Sequence, residues 1–208
     1  MIMLEEEFLQ SLLHYTVDPS VVESYWHEIV AEYSNKDRHY HNLTHLYDLF
    51  AELHPLKEKF SQWEAVIFAL VYHDIVYNTL KSNNEERSAG LAVKRLTGWS
   101  CPKEVIDCCS RLIRATKHHQ PADYETNLFT DADLAILGAS PERYREYADN
   151  VRREYSLYPD LLYNPGRKKV LRHFLEMERI YKTEEFRMKY ETQARANLEE
   201  ELGRLGNQ

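Results

Sequence analysis

Signals for starting a helix recur along the whole chain, and this spacing constrains the fold more than any other feature. Asp18-Pro19, Ser100-Cys101-Pro102 and Ser140-Pro141 each set a capping side chain ahead of a proline that the first helical turn tolerates. Ser61-Gln62-Trp63-Glu64 and Asn83-Asn84-Glu85-Glu86 match the capping-box spacing, in which an acid three residues on reaches back to the cap's own amide. The pattern predicts helices over about 3–15, 19–33, 43–53, 61–73, 84–97, 102–116, 131–138, 141–157, 166–177 and 183–204. No pair of strands joined by a hairpin turn stands out, so the expected fold class is all-α, a helical bundle. The hardest stretch is Trp63 to Tyr77, whose Val66, Ile67, Phe68, Val71, Tyr72, Ile75, Val76 and Tyr77 are all strand formers. Its length and the Ser61 box favour a helix, and apolar residues on every side of Ala65 to Tyr72 put that helix at the centre of the bundle. The highly charged last helix, with Tyr190, Ala194 and Leu198 as its packing stripe, reads as an outer one.

The 208 residues, 43% hydrophobic and 29% charged, fit a single globular domain over 1–208, because no repeat, linker or change of composition divides them. The longest apolar run, Ala65 to Tyr72, falls short of the ~20 residues that cross a bilayer. Glu5, Glu6 and Glu7 stand where a secretory leader would be basic, so the expected location is the cytoplasm, away from membranes. A formal charge of −8 argues against general nucleic-acid binding, which needs a net basic face. Cys101, Cys108 and Cys109 are odd in number, the vicinal pair cannot close without strain, and no Cys-x-x-Cys spacing occurs. They read as reduced, apolar fillers.

Chemistry concentrates in three places. The central helix ends in His73-Asp74, and a carboxylate beside so much apolar surface is costly unless it is paired, hydrogen-bonded or bound to a cation. Some thirty residues earlier, Tyr40-His41-Asn42-Leu43-Thr44-His45 holds two histidines four apart, which share a face if both lie on helix. Asn42 also suits a plain capping role. Further on, Phe129-Thr130-Asp131-Ala132-Asp133-Leu134-Ala135-Ile136-Leu137-Gly138 places two acids at the start of an apolar segment, where Thr130-x-x-Asp133 is equally a capping box.

Taken in order, the His, His-Asp and Asp motifs resemble the HD superfamily of metal-dependent phosphohydrolases. The run from Tyr40 to His45 and the Ala132-Asp133-Leu134 triplet are also similar to motifs of the cyclic nucleotide phosphodiesterases. Arg38-His39-Tyr40-His41-Asn42-Leu43, the Asn83 to Ala89 segment and Phe129 to Gly138 resemble, closer still, a bacterial group of predicted HD phosphohydrolases. The resemblance implies metal ligation by His45, His73, Asp74 and Asp133, and a general acid at His41. Asp131 is the alternative fourth ligand if Asp133 serves as a cap.

Two imidazoles and two carboxylates suit octahedral Mn²⁺, Fe²⁺, Co²⁺, Ni²⁺ or Mg²⁺. The implied activity is hydrolysis of a phosphate ester or anhydride of a small molecule, such as a nucleotide, by a metal-bound hydroxide. Glu86, or its neighbour Glu85, is a candidate for orienting water, though both also fit a first-turn capping role. Arg38 and Arg167 are candidate phosphate ligands through the guanidinium fork, and His119 a candidate substrate contact. His118 and His119 serve as well to complement a helix C-terminus. Two rival readings are a di-iron oxygenase on the same scaffold, drawing on His118 and His119, and a non-catalytic interaction protein.

Overall fold

The computed structural model describes residues 2–15 and 18–206, and among them it contains helices and no strand. The order is α1 (Ile2–Leu13), α2 (Pro19–Tyr33), α3 (Leu43–Leu53), a 3₁₀ segment (His54–Lys59), α4 (Trp63–Tyr72), α5 (Asn84–Gly98), α6 (Lys103–Ala115) and α7 (Tyr124–Asp133). A second 3₁₀ segment (Ala135–Gly138), α8 (Pro141–Glu154), α9 (Asp160–Glu176) and α10 (Glu184–Gly206) complete it. The chain divides into two compact units, Met1–Thr130 and Asp131–Gln208, with the division inside the last turn of α7. No helix of the described residues is long and apolar enough to cross a membrane.

In the first unit, α4 is buried at every position from Ala65 to Tyr72. Each large apolar side chain there gains about 1.5–3 kcal/mol by leaving water, which overrides the strand preference of its valines and isoleucine. One face of α6 covers it, with Val105, Cys108, Cys109, Leu112 and Ile113 buried at helical spacing while Lys103, Glu104 and Arg111 stay outside. Burial pushes all three cysteine thiols up, Cys101 to about 12, so they are inert packing groups.

In the second unit, the packing stripe of α10 is extended by two buried polar residues. Asn197 donates from Nδ2 to the carbonyls of Leu137 (2.8 Å) and Ala139 (2.9 Å), and Glu201 meets Arg167. Gly138 lets the chain pass close to α10, since a Cβ there would fall 2.5 Å from the Tyr190 Cβ.

Several start signals act differently from their sequence reading. Ser140 caps α8 by accepting from the Arg143 amide, as its spacing suggests. The Ser61 box does not form, because Ser61 donates from its amide and hydroxyl to Glu125 and α4 opens at Gln62 without a side-chain cap. The Asn83 box fails in the same way, since Glu86 turns to Lys117 instead. Pro102 takes the cap position of α6, and Ser100 adopts a left-handed φ of 58° ahead of it. The helix expected over 131–138 is instead α7, starting at Tyr124, where Asp123 caps by accepting from the Thr126 amide (3.0 Å) and hydroxyl (2.8 Å). Thr130 therefore lies mid-helix and donates back to the Thr126 carbonyl. The helix expected from 166 begins at Asp160, because Pro165 sits near its start and frees only the Leu161 carbonyl.

Candidate metal centre

His73 follows α4 directly, its amide still bonded to the Ala69 carbonyl, so its position is set by the most buried helix of the unit. Its ring is 1% exposed, and Nδ1 lies 2.8 Å from the Leu70 carbonyl. A carbonyl only accepts, so the neutral ring carries its proton on Nδ1 and presents a lone pair at Nε2. That Nε2 lies 3.0 Å from His45 Nε2 and 3.2 Å from Asp74 Oδ2. His45 reaches the site from the first turn of α3, drawn inward with Leu46, Leu49, Phe50 and Leu53 along one apolar face. Asn42 caps that helix by accepting from the Thr44 amide (2.8 Å).

Burial pushes the Asp74 carboxyl up, but the charge and hydrogen bond of His73 and the charges of His41 and His45, supplied when these rings carry a second proton, outweigh it and hold the carboxyl below its ordinary range. Asp74 is therefore an anionic oxygen donor at neutral pH. Among the described residues, His45, His73 and Asp74 offer three ligand atoms within 4.8 Å of one another. The edge of an octahedron with ~2.1 Å bonds is about 3.0 Å, close to the two shorter separations. Facing nitrogen lone pairs at this distance repel unless a proton or a cation lies between them. The donor set fits a divalent cation.

His41 precedes the cap residue Asn42 and lies outside α3, so the two histidines do not share a helical face. The His41 ring instead stacks on Tyr77 (centroids 4.4 Å apart, planes at 29°), with the His45 ring 5.9 Å away.

Arg38 requires a correction. The fork expected to hold phosphate is spent on backbone: Nη1 donates to the carbonyls of Asp74 (2.7 Å) and His41 (3.2 Å), and Nη2 to that of Ile75 (2.8 Å). Its guanidinium lies over Tyr33 (4.7 Å) and within 5.4 Å of the Tyr77 ring centre. The charge-assisted bonds are worth about 1.5–3 kcal/mol each. The Tyr33 hydroxyl accepts from the Asp74 amide (3.2 Å), a contact that nothing in the sequence announces.

Arg167 is corrected likewise. It is buried in a two-pronged pair with Glu201 (2.7 and 2.9 Å), whose Oε2 also accepts from the Tyr144 hydroxyl. Burial pushes the Glu201 carboxyl up, and Arg167 and Tyr144 outweigh it, leaving the carboxyl below its ordinary range. Arg167→Met strands that carboxylate and should cost about 3–5 kcal/mol. The pH dependence should also invert. A lowered pKa lends stability above pH ~4.3 that is lost as pH falls through the folded value, whereas burial opposed only by the weaker Tyr144 hydrogen bond raises the pKa, so the variant should regain stability on mild acidification. Thermal midpoints of both proteins between pH 4 and 8 check this.

Glu86 pairs through Oε1 with Lys117 Nζ (2.5 Å), which holds its carboxyl below the ordinary range, and its Oε2 is shielded without a hydrogen-bond partner among the described residues. His119 lies beyond the end of α6, with a left-handed φ of 49° and its amide donating to the Ala115 carbonyl. In the second unit, Asp131 is fully buried, accepting from both amides and the hydroxyl of Lys182-Thr183 and pairing with Lys182 Nζ at 2.7 Å. Its oxygens are thereby committed to structure, while Asp133 ends α7 partly exposed. Compared with family models, with curated proteins and with solved structures, the chain matches none of them.

Proposed function

We propose that this chain is a metal-dependent phosphohydrolase of the HD type, cleaving a phosphate ester or anhydride of a small molecule, with nucleotides as the first class to test. The observation that carries the reading is the convergence of His45 Nε2, His73 Nε2 and Asp74 Oδ2, with both imidazoles buried. His45, His73 and Asp74 would hold the cation, with Mn²⁺, Fe²⁺, Co²⁺, Ni²⁺ or Mg²⁺ as the ions this nitrogen and oxygen donor set suits. When bound, such an ion supplies Lewis acidity toward phosphate oxygens and lowers the pKa of water. The chain's own contribution is positional. The Leu70 carbonyl keeps His73 in the tautomer that presents Nε2, Asp74 adds negative charge, and His41 holds a proton for the leaving oxygen.

Elemental analysis of protein purified without chelator, beside a screen of p-nitrophenyl phosphate and nucleotides, tests the reading. The expected result is about one divalent ion per chain and phosphate release that stops on chelation and returns with metal. Protein that binds no divalent ion and releases no phosphate from any of these compounds overturns it.

A further inference from the structure

We infer that Arg38 is a positioning residue that locks the proposed acid and a proposed ligand into one frame, rather than a group that binds substrate. The inference rests on the phosphohydrolase reading for its kinetic part and on the geometry alone for its metal-binding part.

The stretch from His73 to Val76 has left α4, yet each of its amides is engaged. His73 donates to the Ala69 carbonyl, Asp74 to the Tyr33 hydroxyl, Ile75 to the Tyr72 carbonyl and Val76 to the Ser88 hydroxyl. The carbonyls of Asp74 and Ile75 would be left over, and Arg38 takes both. Fixing the peptide groups on either side of Asp74 fixes its backbone torsions and so the Cα–Cβ direction from which its carboxylate reaches the site. The same Nη1 that binds the Asp74 carbonyl also binds the His41 carbonyl, so one planar group references the two loops to each other. Tyr77 completes the frame, since its ring lies against both the guanidinium and the His41 imidazole. Only a planar fork reaches three carbonyls in this way. A lysine ammonium keeps the charge and loses the geometry.

The two roles separate in Arg38→Lys and Arg38→Met, both checked for native helicity by circular dichroism. Positioning predicts that Co²⁺ affinity, read from its visible absorption during titration, falls at least tenfold in both variants. It further predicts that kcat for p-nitrophenyl phosphate falls while KM stays within about twofold. Phosphate binding predicts the reverse: unchanged Co²⁺ affinity in both, KM raised in Arg38→Met and largely restored in Arg38→Lys. Unchanged Co²⁺ affinity in either folded variant overturns the inference. Tyr33→Phe, which keeps the ring under Arg38 and removes the hydroxyl that accepts from the Asp74 amide, gives an independent reading should both arginine variants unfold. It is expected to weaken Co²⁺ binding, and wild-type affinity in that protein counts against the frame. The Co²⁺ measurements stand even if the wild-type protein hydrolyses no phosphate ester, so failure of the activity and failure of the frame are told apart.

Discussion

His73→Ala should leave the protein without bound metal and without turnover. The imidazole is held by both its chain and its ring: the backbone continues α4, and Nδ1 is fixed by the Leu70 carbonyl. Its Nε2 is also the nearest neighbour of each of the other two donors, at 3.0 Å from His45 and 3.2 Å from Asp74. Removing it leaves His45 and Asp74 3.9 Å apart with nothing to join them. Losing a ligand outright should exceed the 10–100-fold loss of affinity that follows from disturbing a ligand's hydrogen-bond partner. Metal content by elemental analysis should fall from about one ion per chain to background. Asp74→Asn is the companion, since it keeps the size of the side chain and removes its charge. Full metal content in both proteins would eliminate the assignment, whatever happens to activity.

The second large effect is kinetic. His41→Ala should keep its metal and lose about 10²–10⁴-fold in turnover, the usual contribution of a positioned acid. His41 is absent from the group of three converging donors, yet its ring is held on Tyr77 and beside His45. A proton delivered to the leaving oxygen matters most when that oxygen leaves poorly. A nucleoside monophosphate should therefore suffer far more than p-nitrophenyl phosphate. Loss of metal along with rate would make His41 a ligand or a buttress, and an unchanged rate on the poor leaving group would remove it from the chemistry.

Much of the fold was legible because it depends on local signals. The ranges of α2 and α3 follow from Asp18-Pro19 and from Asn42, and α4 follows from an apolar run too continuous for any exposed face. The failures share one cause, competition from residues far away in sequence. Ser61 is drawn to Glu125, Glu86 to Lys117 and Arg167 to Glu201, and in each case a distant charged partner outbids the local cap or the solvent. The same holds at the candidate site. His45, His73 and Asp74 announce themselves as residue types that are costly to bury alone, whereas the contribution of Arg38 depends on which carbonyls the chain brings within reach of its fork. No spacing encodes that. Asp131 misleads for the opposite reason: an acid in a motif looks functional, while the Lys182-Thr183 amides that satisfy it lie some fifty residues later.

The absence of any wet face on α4 between Ala65 and Tyr72 has a temporal consequence. Amides along such a stretch trade protons with water when the surrounding unit opens, so the helix keeps a slow clock. His73 is joined to that clock through Ala69 and Leu70, whereas His41 and Arg38 lie on the segment between α2 and α3, outside any α-helix. His73 is thus tied to a helix that opens only with its unit, while Arg38 and His41 keep their places beside it through hydrogen bonds to loop carbonyls and ring contacts rather than helical bonds.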